Sequence, residues 1–320
     1  MKSIRVHRTG PPEVMRLEEM PDPRPGPGQI LLQVKAAGLN PVDTYVRSGL
    51  YGYSPELPYT PGADAAGLVE ELGTGITGLS IGQRVYGGRS LTGSYAEKAL
   101  FDRAQVHPLP ESISFAQGAC IGIPYATACR ALFQKAKVQP GEMVLVHGAS
   151  GGVGLAAVQL ACEARLTVIG TAGSEPGRQL VRDQGAAHVL DHRDPDHFEE
   201  AMKLTQGRGV PVILEMLSNE NLGKDLKVLA QGGRVVVIGS RGLVEVDPRD
   251  LMLRDASIIG MVLKNTPADE YRQIHEHLGK RLANGTLRPV VGREFPLAKA
   301  PEAHRVLMTP PAHGNIVLIV

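Results

Sequence analysis

The residues best suited to chemistry lie in one stretch, Val144 to Ala161, VLVHGASGGVGLAAVQLA. Ala149, Gly151 and Gly154 follow the spacing A-x-G-x-x-G, directly after the apolar run Val144–Val146 and at the head of a small-residue helical pattern opening near Gly152. Small residues at those spacings have separate tasks. One turns the chain tightly off a strand, one lets backbone approach a pyrophosphate, and one lets helix and sheet pack closely. The first-turn N–H groups of the helix lack intrahelical acceptors and stand at its positive end, which suits a phosphate. Glycine turns also simply end strands, but here the strand before and the helix after are both present, as the motif requires. The stretch predicts a dinucleotide site with Ser150, Gly151, Gly152 and Val153 on the phosphates.

The elements that must hold this turn are legible on either side of it. From Lys2 to about Pro124 short apolar runs alternate with glycine and proline, and Ile30–Ala36, Ala66–Glu71 and Arg84–Tyr86 read as strands. After Pro124, strand candidates at Val144–Val146, Thr167–Gly170, His188–Leu190, Val212–Met216, Arg234–Gly239 and Ser257–Gly260 alternate with helical patterns such as Phe198–Thr205 and Leu222–Ala230. Six strands so arranged imply a doubly wound parallel sheet with ligands at its carboxyl ends. The tail from Leu287 returns to strands and closes on Ile316–Val320. The expected fold class is therefore α/β, a Rossmann sheet inserted into a β-rich domain, with ligand in the cleft between them.

Composition narrows the function. At 320 residues the chain is too long for one ordinary core. A net charge of +1 without a basic run, and 4% aromatic residues, argue against nucleic acid as the main ligand. Cys120, Cys129 and Cys162 show neither metal nor disulfide spacing, which fits a reducing compartment. No signal-peptide core and no membrane-length apolar run appear, so a cytoplasmic protein is expected.

With these residues in hand, the chain resembles the zeta-crystallin-like quinone oxidoreductases, a zinc-free branch of the medium-chain dehydrogenase/reductase superfamily. The likeness is carried by GLNPVDTYVRSGLY (38–51), LPYTPGADAAG (57–67), HGASGGVGLAA (147–157), GTAG (170–173), DHR (191–193), EMLSNENLGKDL (215–226), GGRVVVIGSRG (232–242) and PRDLM (248–252). It implies a GroES-like catalytic domain over 1–124 and 262–320, with the Rossmann domain over 125–261. It also implies reduction of a quinone by NADPH, in a homodimer or homotetramer. Reduction of α,β-unsaturated carbonyls is the enzymatic alternative, and a crystallin-like structural or RNA-binding role the alternative of another class.

The resemblance assigns site residues one by one. Tyr45 falls where the family places a tyrosine beside the nicotinamide, although a loop aromatic also covers core edges. Asn40 stands where zinc-dependent relatives carry a cysteine ligand; it either donates to a substrate carbonyl or supports the turn before Pro41. Gly173 belongs to the adenosine side. So does His192, which follows the third Rossmann strand. Asn221 matches another cofactor contact. Ile238, Gly239, Ser240 and Arg241 should line the nicotinamide ribose, and Met261, Val262 and Leu263 should offer backbone groups to the nicotinamide. Lys224 and Asp225 read as surface charges of a helix.

Two departures shape the chemistry. Gly62-Ala63-Asp64 replaces the Gly-His-Glu of the zinc enzymes and Asn40 stands near their cysteine, so two ligands of a three-ligand catalytic site are missing. Without a Lewis acid, the acceptor must take a hydride readily, as a quinone does. No proton donor is evident in these segments, which also favours a quinone. At the tip of the second Rossmann strand, Thr167 to Gly173 carries no carboxylate to bind ribose hydroxyls, which favours NADP(H). Arg178 is placed to pair with a 2′-phosphate, or is a solvated helix residue; nearby Glu175 argues mildly the other way.

Overall fold

The structure, a computed structural model, describes residues 1–309, 311 and 313–320. Its strands in chain order are β1 (Lys2–Val6), β2 (Met15–Glu19), β3 (Gln29–Leu39), β4 (Asp64–Leu72), β5 (Arg84–Gly87), β6 (Lys98–Asp102), β7 (Val106–Pro108) and β8 (Met143–Val146). They continue with β9 (Thr167–Thr171), β10 (His188–Leu190), β11 (Val210–Glu215), β12 (Leu229–Val237), β13 (Ser257–Gly260), β14 (Val291–Pro296) and β15 (Asn315–Ile319). The chain forms two compact units. The first comprises Met1–Pro124, His275–Pro310 and Gly314–Val320, and the second Tyr125–Ile274 with Pro311–His313.

The first unit is built on a sheet ordered β14-β15-β3-β4-β5-β7, with β6 also paired to β3 and a separate β1-β2 hairpin. Strand β3 is its centre. It pairs antiparallel with β15, β4 and β6, so its ILLQVKAAGL sequence is buried almost throughout. Its carboxyl end must be small: a Cβ on Gly38 would lie 2.1 Å from the Ala119 carbonyl oxygen. That close crossing fixes where the chain emerges at Asn40 and begins the helix Pro41–Ser48.

The second unit carries a six-stranded sheet, β10-β9-β8-β11-β12-β13, parallel at every pairing. Its strands are apolar runs because helices flank such a sheet on both faces. Strand order runs one way from β8 and the other way from β11. The switch point therefore lies between those two, where Val146 pairs with Leu214. The helix Gly152–Glu163 buries eight residues from Gly154 to Ala161. This is the small-residue helix expected after the glycine turn.

The first crossing falls at Pro124/Tyr125, at the change of pattern noted in the sequence, though the surrounding segment is helical on both sides, over Ile121–Tyr125 and Ala126–Cys129. The return lies at His275 and not at residue 262. The buried Arg130 accounts for the difference. It donates to the carbonyls of Val262 (2.5 Å) and Asn265 (3.3 Å), and Gln134 donates to that of Glu270 (3.2 Å). These bonds keep the segment after β13 with the second unit.

Candidate functional site

In the second unit the phosphate turn begins at Gly148, whose φ of +56° is left-handed backbone that glycine adopts without strain. Ala149 donates its N–H to the Thr171 carbonyl (2.8 Å), and Gly148 donates to the Thr171 hydroxyl (3.2 Å), so the turn is pinned to the tip of β9. Gly154 performs the packing task predicted for it: a Cβ there would lie 2.5 Å from the Gly148 carbonyl oxygen. Ala149, the unusual first member of the motif, is fully buried, and glycine at 170 makes room for its methyl; a Cβ on Gly170 would stand 3.1 Å from it. Gly151 caps the helix Gly152–Glu163, whose first turn contains no acidic residue. Ser150 is buried, and its hydroxyl would lie 3.3 Å from a Cβ on Gly177.

Next to this turn the structure brings Gly173 and His192 together. A Cβ on Gly173 would meet His192 Nε2 at 2.5 Å. His192 is exposed, and partial burial holds its pKa below the ordinary value. Arg178 lies on the same edge but is engaged. It donates to Glu175 Oε2 (2.7 and 2.9 Å) and to Asp191 Oδ2 (2.6 Å). Arg182 joins Glu175 (2.8 Å) and Arg193 reaches Asp191 (3.5 Å). Three guanidinium groups thus meet two carboxylates in one hydrogen-bonded network, with Asp183 and Asp194 beside it on the same segments.

At the carboxyl end of β11, Glu215 organises the turn ahead. Its Oε1 accepts from the Leu217 N–H (2.5 Å) and from Asn221 Nδ2 (3.3 Å). Its backbone carbonyl accepts from Ile238 (2.9 Å) and Gly239 (3.3 Å). Gly239 passes so close to β11 that a Cβ would lie 2.5 Å from the Met216 carbonyl oxygen. Asn221, Ile238 and Gly239 are thus gathered at one strand end. Ser240 donates to the Gly242 carbonyl (2.9 Å), and Arg241 N–H donates to Asn219 Oδ1 (2.8 Å), so their loop is held from within. Met261 is buried with its N–H on the Val237 carbonyl (3.1 Å). Val262 is exposed, Leu263 is half-buried, and one lone pair of the Val262 carbonyl is taken by Arg130.

Asp225 is a correction. It is fully buried, not a surface charge, and accepts from His147 Nε2 at 2.8 Å. In the helix Ser218–Val228 it lies three residues after Leu222 and one before Leu226, on the apolar face, and that spacing was the available signal. Lys224 is exposed, as expected.

In the first unit Asn40 begins the helix Pro41–Ser48 in a capping box with Asp43: Asn40 N–H donates to Asp43 Oδ2 (2.8 Å), and Asp43 N–H to the Asn40 carbonyl (2.9 Å). One of its amide hydrogens goes to Asp64 Oδ2 (2.9 Å). The supporting role at the turn is therefore present in the geometry. Asp64 also accepts from Ile123 N–H (2.8 Å), and Asp43 from Tyr95 OH (3.1 Å). Burial pushes the Asp43 carboxyl up to about 7 and that of Asp64 to about 8. The sequence reading missed these two acids. Tyr45 is half-buried on the same helix, edge-on to Tyr51 with ring centroids 4.9 Å apart.

Metal chemistry finds little to hold it. The two positions aligned with zinc ligands, Asn40 and Ala63, offer an amide and a methyl. Among the described residues, His147, Glu215 and Asp225 alone bring three ligand-type atoms within 4.8 Å of one another. Their 2.8 Å nitrogen–oxygen distance is a hydrogen bond; two ligands sharing one tetrahedral zinc stand about 3.3 Å apart.

The glycine cradle at the switch point of a parallel sheet, in a chain that also carries a GroES-like unit, defines a nicotinamide-nucleotide-dependent oxidoreductase of the medium-chain type. Comparison supports this. Residues 152–280 match the zinc-binding dehydrogenase family and residues 26–111 the alcohol dehydrogenase GroES-like domain. The quinone oxidoreductase of Rattus norvegicus is 46% identical over 322 residues, covering 100% of this chain and 98% of that one. The solved quinone oxidoreductase of Escherichia coli, in complex with NADPH, is 30% identical with a TM-score of 0.91 over the whole of both chains. An NAD-dependent alcohol dehydrogenase superimposes equally well, with a TM-score of 0.93 at 30% identity over both whole chains, so fold alone does not choose the cofactor. The chain belongs to the quinone oxidoreductase family, the zeta-crystallin-like, zinc-independent branch of the medium-chain dehydrogenases/reductases.

Proposed function

We propose that this protein is an NADPH:quinone oxidoreductase working without zinc, whose balanced reaction takes a hydride and one proton to a quinone and releases a hydroquinone. The observation that carries the reading is the cradle. Gly148 turns through left-handed backbone, Ala149 is fully buried, Gly154 has no room for a side chain, the helix first turn has no carboxylate, and Arg178, Arg182 and Arg193 are guanidinium donors suited to a 2′-phosphate. Ser150, Gly151, Gly152 and Val153 then hold the pyrophosphate. Gly173 and His192 take the adenosine side. Asn221, Ile238, Gly239, Ser240, Arg241, Met261, Val262 and Leu263 take the nicotinamide side. When bound, NADPH supplies the hydride. The chain's own part is to bind and orient, because a hydroquinone anion is stable enough to take its proton from solvent. Tyr45 orients the acceptor, and Asn40 holds the helix that carries Tyr45.

A second reading, hydride addition to α,β-unsaturated carbonyls, is favoured by one observation: Asp43 and Asp64 are carboxyl groups that can hold a proton near neutrality. Both are buried and already hydrogen-bonded, so the quinone reading is preferred. The same reading takes the enzyme as cytoplasmic; no helix among the described residues is long and apolar enough to cross a membrane. It also takes the enzyme as a homodimer or homotetramer paired along the edge strand β13, where Ile258 is exposed. The test is oxidation of NADPH and NADH against a panel of quinones and alkenals, with and without a zinc chelator. Quinones should give the highest kcat/KM, NADPH should be preferred about tenfold or more, and the chelator should leave turnover intact. Faster turnover of alkenals, or loss of activity on chelation, would overturn the reading.

A further inference from the structure

Beneath the switch point between β8 and β11 lie three ionisable side chains that the proposed reaction does not use. His147 follows β8, Glu215 ends β11, and Asp225 comes from the helix Ser218–Val228; their side chains are 3%, 0% and 0% exposed. His147 Nε2 is 2.8 Å from Asp225 Oδ1 and 3.6 Å from Glu215 Oε2. The remaining carboxylate oxygens, Glu215 Oε2 and Asp225 Oδ2, have no hydrogen-bond partner among the described residues. On its other side, Glu215 Oε1 holds the Leu217 N–H and the Asn221 amide. The His147 N–H is bound to the Leu214 carbonyl (3.1 Å), one residue before the phosphate turn begins. The cluster therefore ties together the roots of both ligand-facing segments.

We propose that Glu215, backed by Asp225 and His147, is a positioning residue for the dinucleotide: it holds the turn after β11, with Asn221, against the root of the phosphate turn. This rests on the NADPH reading above. Two carboxylates sealed from water cannot both ionise cheaply. A proton on Glu215 Oε2, directed at Asp225, satisfies both orphaned oxygens. Asp225 then accepts from Glu215 and from His147 Nε2–H, and Glu215 Oε1 stays free to accept from Leu217 and Asn221. The cluster carries one buried negative charge instead of two under a ligand that is itself an anion.

The charge state gives the role a signature. Burial lifts the carboxyls of Glu215 and Asp225 to about 7, and the first to ionise holds the proton on the other, so raising pH through this window removes the last proton and adds a second buried negative charge. The neighbouring histidines do not titrate in that window. His147, His192 and His197, whose ring centroid lies 6.4 Å from that of His147, are all held below their ordinary values mainly by burial, and are neutral above pH 7. Lys224 and Lys227 are the cations on the same helix, both exposed, with Lys224 Nζ 5.9 Å from the Phe198 ring centroid. A phosphate monoester such as the 2′-phosphate completes its second ionisation near pH 6, below the window.

The test is direct NADPH binding, read by nucleotide fluorescence without acceptor, between pH 6.5 and 8.5. Wild-type Kd should rise at least tenfold across that range. In Glu215→Gln, which keeps the Oε1 acceptor but cannot ionise, the pH step should vanish, with Kd at pH 6.5 within about threefold of wild type. Glu215→Ala, checked for folding by circular dichroism, should raise the KM for NADPH more than it lowers kcat. A flat wild-type profile, or a step retained in Glu215→Gln, would overturn the positioning role and leave the cofactor reading standing. No NADPH binding at any pH would overturn both.

Discussion

Each unit buries a pair of carboxylates, and the pairs differ in what surrounds them. Asp43 and Asp64 accept hydrogen bonds from neutral groups: the Asn40 N–H and Tyr95 hydroxyl for one, the Asn40 amide and Ile123 N–H for the other. His304 is joined only at a distance, 3.2 Å from the Tyr95 hydroxyl, and burial holds it down to about 3. Glu215 and Asp225, by contrast, share a histidine between them. The first arrangement can sit neutral at physiological pH and so serves geometry, fixing the cap of the helix that bears Tyr45. The second, on the proposal above, keeps one negative charge at the ligand end of the sheet. Similar residues thus build a scaffold in one place and a charge-sensitive support in the other.

The comparison breaks most visibly in the second unit. Gly154→Val places side-chain atoms where the Gly148 carbonyl stands, so NADPH affinity should fall by at least about 100-fold, measured by fluorescence titration. In the first unit Asp64→Ala strands the Asn40 amide and the Ile123 N–H, each costing about 1–3 kcal/mol, and urea unfolding should show the sum. Asp64→Asn keeps an acceptor and should recover most of that loss.

The neutral pair also has a pH signature of definite sign. Asp64 is near 3.8 unfolded and raised to about 8 when folded, so the native state binds the extra proton between those values. Its contribution to stability is full below about pH 4 and declines as pH rises to about 8. The difference in melting temperature between wild type and Asp64→Asn should follow that slope; a constant difference would show that Asp64 is ionised in the fold.

Smaller effects sharpen the site. Tyr45→Phe should lower quinone kcat/KM by about tenfold or less if the ring only positions the acceptor, and a much larger loss would assign its hydroxyl a proton. Arg178→Ala should reduce NADPH preference by only a few-fold, because Arg182 and Arg193 remain on the same edge. An unchanged preference in steady-state kinetics would remove Arg178 from 2′-phosphate recognition.

The fold was largely legible because its signals are local. The six parallel strands, the glycine turn and the change of pattern at Pro124 all follow from runs and spacings within a few residues. The buried acids were not, because burial is decided by partners distant in sequence. Asp64 meets Asn40 across 24 positions, and His147 meets Asp225 across 78. Asp225 alone carried a local clue in its place beside Leu226. Arg130 carried none, since its hydrogen-bond partners are backbone carbonyls after β13, which have no sequence identity, and its ion-pair partner Glu270 lies 140 positions away.

Ala149 and Gly170 lead to a different way of writing the nucleotide fingerprint. Where many relatives of the motif set glycine first, this chain places a methyl on the turn and removes one from the neighbouring strand, under Val181, which would stand 2.6 Å from any Cβ at position 170. In this chain the motif is met as an amount of space divided among three elements, not as a string of letters. Restoring glycine at 149 alone would open a methyl-sized void, at a cost of about 1 kcal/mol, while making the sequence look more orthodox.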